Sequence, residues 1–489
     1  MWSSQSTTAA LLIAFAGCGG GNSVPISGLQ SGGGGDLAML SGTGPLGDTA
    51  RPDLGARDAD ASSQSPMDAA TTADSAVSPN PPDSSAPADM GMSAAKDAAT
   101  ATDMASTPVN PPPVTLQGVT VLGQGVDFTD ASSDQGGNVW GVTSARVYFY
   151  RAGTGSALLF DQSSGLAQGK TTWIDPYWFG TPDNPSTQPV SFSAVAGGMA
   201  GEAFIGNIGY SGDRFQIDPA NGAVVSVVGL AVTDLQQKDP DERLAQQRRE
   251  VATWHAVVDL NGTFGGTAYF GGFHGTGALH GLTASRTSSV CGCTDYEEHI
   301  HAFSAGGDDV YGGDVHALFV TNEGDLWMGD RKALYFTPQG SLGANADFFQ
   351  SIGVPGHPEE TAIDVFPDVD DWNFGVAVDG SGGLYVASHG NGLAYLTPGT
   401  YAATYFNAGN VLPTNYLTGL DIDQNGEVWI ATESSGVLRY SPSSGSFTRY
   451  TTAQGLPSND IRQVHVDRYR AGRAVYFATD NGIAVYTGP

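Results

Sequence analysis

Residues 418–451 read TGLDI, DQNG, EVWIA, TESSG, VLRYS, PSSG and SFTRYT in succession, and this stretch decides the fold. Thr418 to Ile422 alternates, and Asp423-Gln424-Asn425-Gly426 turns. Glu427 to Ala431 is β-branched and aromatic, and Glu433-Ser434-Ser435-Gly436 turns again. Val437 to Tyr440 reads as a third strand, Pro442 to Gly445 as a third turn, and Ser446 to Thr451 as a fourth strand. Short alternating runs punctuated by Asn-Gly and Ser-Gly are hairpin signals, because those residues adopt the left-handed conformations that tight turns require.

The same unit recurs along the chain. Its signature is an apolar or small residue, an aromatic, an apolar, a small and a polar residue. It appears as Val428-Trp429-Ile430-Ala431-Thr432, Val475-Tyr476-Phe477-Ala478-Thr479 and Leu384-Tyr385-Val386-Ala387-Ser388. Upstream copies centre on Trp327, Tyr269, Phe204 and, least faithfully, Trp140. Four antiparallel strands repeated at this interval are the footprint of a β-propeller blade. The expected fold is therefore all-β, a seven-bladed propeller of four-stranded blades over residues 114–489. A β-sandwich array is the alternative. The last unit ends one strand short, and Val114 to Leu122 is an apolar run that belongs to no unit. It is expected to complete the last blade and close the ring, leaving no open edge.

Gly455-Leu456-Pro457-Ser458-Asn459-Asp460-Ile461 and Val411-Leu412-Pro413-Thr414-Asn415-Tyr416-Leu417 each precede an inner strand. With Asp423 to Thr432 and Gly436 to Pro442, they resemble the two-component regulator propeller repeat, found in periplasmic sensor regions of hybrid histidine kinases and in free-standing exported propellers. The likeness is good over 365–489 and faint over 124–360. It implies a seven-bladed ring. It does not carry signalling, because the family's downstream sandwich, membrane span and kinase have no counterpart here. The chain is similar in kind, more distantly, to streptogramin-lyase-like propellers, which are enzymes.

The front of the chain reads differently. Ala9 to Ala16 is a short apolar stretch ending in Phe15-Ala16-Gly17-Cys18, similar to a bacterial lipobox, with Cys18 as the lipidated residue of a signal spanning 1–18. The segment before it lacks Lys and Arg, and Phe15 stands where Leu is usual. Residues 19–113 contain no aromatic residue and consist largely of Gly, Ser, Ala, Thr, Pro and Asp. Such a segment buries too little apolar surface to offset backbone ordering, so a disordered tether is expected. Its root-mean-square span would be about 55 Å. These features place the protein at the outer membrane or cell surface, held to the lipid bilayer through Cys18 and facing the periplasm or the outside.

The whole chain of 489 residues carries 20 Lys and Arg against 50 Asp and Glu, a net charge of −30. That balance argues against nucleic-acid binding, which needs cations to displace counterions from phosphates. Three Cys cannot staple a chain of this length. No GxSxG, Walker A, GxGxxG or HExxH motif is present.

Blade geometry puts the loop entering each inner strand and the turn between its second and third strands on one face, the usual ligand side. His255, His316, His274 and His389 fall in such segments, with Trp254 and Trp372 beside them. These six residues are the candidate ligand-binding set. His255, His316 and His389 are also candidates for general-base chemistry or for holding a divalent metal; otherwise they are ordinary polar loop residues. Cys291 and Cys293, followed by His299 and His301 in the insertion before the fourth inner strand, could hold zinc or copper, form a local disulfide or remain free thiols. The expected function is a monomeric recognition module for a small molecule, a glycan or an envelope protein. The alternative is a metal-assisted lyase or hydrolase using the rim histidines.

Overall fold

The structure, a computed structural model, describes residues 117–175, 186–209, 212–229, 253–260, 266–272, 275–280, 297–301, 315–330, 333–338, 349–350, 354–358, 362–366, 372–470 and 474–488. The expected signal, lipidation site and tether at 1–113, His274, Cys291 and Cys293 lie outside them, as do the first residues of the expected closing strand.

The fold is a β-propeller. Among the described residues there are seven sheets of four or five strands, here called blades one to seven, and one separate two-stranded hairpin, Thr172–Asp175 with Ser186–Pro189. Blade six follows the quoted stretch: Leu417–Ile422, Val428–Thr432, Val437–Ser441 and Ser446–Tyr450 pair antiparallel in chain order. The inner strands of the blades are Asp130–Ser133, Ser191–Gly197, Thr253–Asp259, Ala317–Val320, Asn373–Val378, Leu417–Ile422 and Ile461–Val466. Each meets the next, and the last meets the first, so they line a central channel.

Val119–Leu122 pairs antiparallel with Gly482–Tyr486, with Val119 opposite Tyr486 and Leu122 opposite Ile483. The front of the described chain thus supplies the outer strand of blade seven, whose other strands come from the end. The pairing joins the two ends of the described chain in one sheet and so closes the ring of blades.

The repeated aromatic sits on the second strand of every blade: Trp140, Phe204, Tyr269, Trp327, Tyr385, Trp429 and Tyr476 are all buried. They form the core between blades rather than one central core. Trp429 of blade six, for example, lies 5.8 Å from Phe477 of blade seven, centroid to centroid. A buried indole must place its N–H, and an aspartate in the preceding turn accepts it: Asp423 takes Trp429 Nε1 at 3.0 Å and Asp134 takes Trp140 Nε1 at 3.1 Å. The same carboxylates cap turn amides, those of Asn425 and Glu427 for Asp423 and that of Asn138 for Asp134. One side chain therefore fixes both a turn and a core ring.

One strand differs from expectation. Glu297–His301, with His299 and His301, is not a loop insertion but the fourth strand of blade three, pairing with Gly275–His280 and, in parallel, with Phe349–Gln350. Its sequence, EEHIH, has no apolar alternation to betray it.

Candidate functional site

Inner strands of five blades carry a register irregularity at the same place, near the strand's start: between Phe192 and Ala194, Thr253 and His255, Asn373 and Gly375, Leu417 and Gly419, and Ile461 and Gln463. A bulge adds one unpaired residue and turns its side chain out of the ladder. The residues so displaced are Ser193, Trp254, Phe374, Thr418 and Arg462. In blade four His316 holds the corresponding place, its N–H bonded to the Gly329 carbonyl just before the strand begins. One backbone position thus sets the side chains around one end of the channel.

In blades three to five that position is aromatic, and the rings meet. Trp254 stacks on His316 at 4.1 Å with planes 4° apart. His316 meets Trp372 edge-on at 4.3 Å and Phe374 at 5.2 Å. Phe374 meets His389 at 5.3 Å, and His389 meets Tyr416 at 5.4 Å. His389, in the turn between the second and third strands of blade five, is fixed by its N–H on the Trp372 carbonyl. Tyr416 precedes the inner strand of blade six and is 52% exposed. Glu433, in the matching turn of blade six, puts a half-exposed carboxylate 3.6 Å from His389 Nε2. The result is a chain of six rings crossing four blades and ending at a carboxylate.

Four of the six residues expected in the ligand set, Trp254, His316, Trp372 and His389, therefore share this arc. Phe374 and Tyr416 belong to it and were not foreseen. His255 is elsewhere: it is buried and lines the channel. Its Nδ1 accepts the Leu318 N–H of blade four at 3.0 Å. Asp130 does the same between blades one and two, accepting Val195 N–H at 2.8 Å, and Asp421 between blades six and seven, accepting Val466 N–H at 2.8 Å. The inner edge of each blade carries amides with no further strand to pair with, so acceptors must come from side chains. His255 is one of these acceptors, which occupies the nitrogen that a general base or metal ligand would use.

The channel holds a second imidazole. His465 Nε2 bonds Asp130 Oδ1 at 3.0 Å, joining blade seven to blade one, and its ring lies 5.7 Å from that of His255. Burial, and then the proximity of His465, push the His255 imidazole down to about 4. Burial also works against a charged His465, but the Asp130 carboxylate overrides it through charge and hydrogen bond, and holds His465 above its ordinary value.

Beyond the inner strand of blade seven, Arg468 and Tyr469 cross the channel. Arg468 Nη1 donates to the Val320 carbonyl of blade four at 2.9 Å and Nη2 to Asp421 of blade six at 3.3 Å, with its guanidinium 4.5 Å over Phe319. Tyr469 OH donates to the Gly197 carbonyl of blade two at 2.8 Å. These two residues follow the inner strand, whereas the aromatic arc lies at the inner strands' starts, so the strap closes the opposite end. The cavity left between them is about 50 Å³, room for a few waters and not for an organic molecule. Among the described residues, no three His, Cys, Asp or Glu side chains converge as metal ligands.

No protein-family model matches the chain, and no curated protein matches it. Solved structures do match in fold. The extracellular domain of a hybrid two-component system from B. thetaiotaomicron is 12% identical with a TM-score of 0.46, covering 77% of this chain and 42% of that one. PorZ, a surface component of the type-IX secretion system of Porphyromonas gingivalis, is 14% identical with a TM-score of 0.46, covering 74% and 46%. The chain thus spans less than half the length of either. YCF48 bound to D1 peptide is 10% identical with a TM-score of 0.45, covering 78% of this chain and all of that one.

Proposed function

We propose that this propeller is a recognition module of the cell envelope that seats a segment of a partner protein on the aromatic arc at the channel mouth. The observation that carries this reading is the arc itself: six rings from four blades, ending in the exposed Tyr416. The strapped channel beneath is too small to admit a ligand, so binding belongs to the surface of the mouth. Recognition is favoured over catalysis because His255 already accepts a backbone N–H and His316 is enclosed by rings. Anchoring through Cys18, with residues 19–113 as a spacer, would keep the propeller at the envelope.

A peptide array probed with the intact protein tests the reading. A saturable binder is expected whose affinity falls about tenfold in Tyr416→Ala, the loss of a well-placed aromatic contact, and is unchanged in Val225→Ser on an outer strand. Binders indifferent to Tyr416 would contradict it. Labelled palmitate incorporated by the wild type and lost in Cys18→Ala tests the anchor separately.

A further inference from the structure

The mouth has a charge as well as a shape. Among the described residues of the arc, the charged side chain outside the imidazoles is Glu433, half-exposed at its end. The one basic residue at the bulge position, Arg462 of blade seven, is held by Asp460 at 3.3 Å and lies near Asp127 at 3.7 Å. Over the whole chain acids exceed bases by thirty charges. Such a molecule attracts cations and repels anions before contact. The faces of Trp and Tyr carry the negative side of the ring quadrupole, so they add to that preference at contact. A planar guanidinium suits it best, since it can stack on a ring and present N–H groups to a carboxylate in the same pose.

We infer that the aromatic arc recognises a cationic, arginine-bearing peptide segment, with a guanidinium seated on Tyr416 and paired to Glu433. This rests on the recognition reading above and narrows it to one ligand class. An anionic segment would meet Glu433 and the overall field. A neutral glycan could stack and donate a hydroxyl to Glu433, but it gains nothing from the field of the whole protein.

Calorimetry with three probes on the intact chain tests this: a tetra-arginine peptide, a tetra-glutamate peptide and maltotetraose. The expected result is single-site, saturable binding of tetra-arginine that weakens about tenfold in Tyr416→Ala and again in Glu433→Gln. Binding of tetra-arginine that depends on salt but not on either substitution would overturn the inference, because the field of the whole protein would then explain it. Binding of maltotetraose or tetra-glutamate at the mouth without tetra-arginine would overturn the ligand class while leaving the recognition reading intact. Failure of tetra-arginine to bind would overturn the class as well, and the peptide array would then decide the broader reading. Both substituted side chains are at least half-exposed, so neither change disturbs the core.

Discussion

The bulge position is filled in two ways around the ring. In blades three to five it carries Trp254, His316 and Phe374, which reach the neighbouring blade through ring contacts. In blades six and two it carries Thr418 and Ser193, whose hydroxyls donate to the next blade's backbone, Thr418 to the Ile461 carbonyl at 2.6 Å and Ser193 to that of Thr253. Blade seven uses Arg462 with carboxylates. Both arcs couple adjacent blades. The polar arc spends its hydrogen-bonding capacity inside the molecule, since a hydroxyl has one proton to give. The aromatic arc leaves ring surface over, because a ring has two faces and an edge. The same backbone feature therefore serves stability on one side of the mouth, and on the other it also leaves ring surface for the binding proposed above.

This contrast presupposes a closed ring, and the largest expected effect comes from opening it. Deleting Val119–Leu122 strips Gly482–Tyr486 of its outer partner and removes Leu122 and Val119 from the apolar clusters they pack in. The loss should reach about 5 kcal/mol or more, the scale of a whole domain's stability, seen as loss of cooperative unfolding in a thermal melt. Normal cooperative unfolding would mean that the two arcs do not depend on closure.

The next effect separates the mouth from the channel below it. The fold holds His255 neutral, with a value of about 4 against an ordinary 6.5. Its contribution is therefore complete above pH 6.5 and is lost as pH falls toward 4, by roughly 3 kcal/mol. His465 has the opposite sign: raised by Asp130, it contributes fully below pH 6.5 and its share is lost as pH rises through its folded value. Urea midpoints measured across this range should show both limbs. His255→Asn, which keeps an acceptor for Leu318 N–H, should flatten the acid limb only. An unchanged acid limb would assign the loss to other groups.

The smallest effects bear on the arcs directly. Thr418→Ala should cost about 1 kcal/mol, the net value of one hydrogen bond, and leave ligand affinity untouched. Trp254→Ala should lower affinity and stability together. If Thr418→Ala weakened binding as much as Trp254→Ala does, the division of labour would fail.

Much of this architecture is legible in the sequence. The second-strand aromatics from Trp140 to Tyr476 repeat because each fills the same gap between blades, and Val119 to Leu122 stands out because no unit claims it. The six-residue step from aspartate to tryptophan is visible in Asp134–Trp140 and Asp423–Trp429. It fades where Asp467 reaches Tyr476 across nine positions, or where Thr321 takes the aspartate's place and caps the Asp325 N–H. The bulges escape sequence reading, since Ser193, Trp254, Phe374, Thr418 and Arg462 share no chemistry. What unites them is backbone register. The role of His255 is hidden for another reason: its partner Leu318 lies in the next blade, 63 residues on. Its neighbour in sequence, Trp254, suggested a shared site, but a bulge sends the two side chains to different places, one into the arc and one into the channel.

A rival surface exists on the outer strands of blades one and two. Leu158, Leu159, Val224, Val225 and Val228 are exposed there, and a side chain at Gly222 would meet Leu158. Photo-crosslinking of a benzophenone-bearing arginine peptide to the intact protein, followed by mass-spectrometric mapping, decides between the two surfaces. Crosslinks are expected on the segments that carry His389, Tyr416 and Glu433, and crosslinks confined to residues 157–160 and 224–229 would contradict the account.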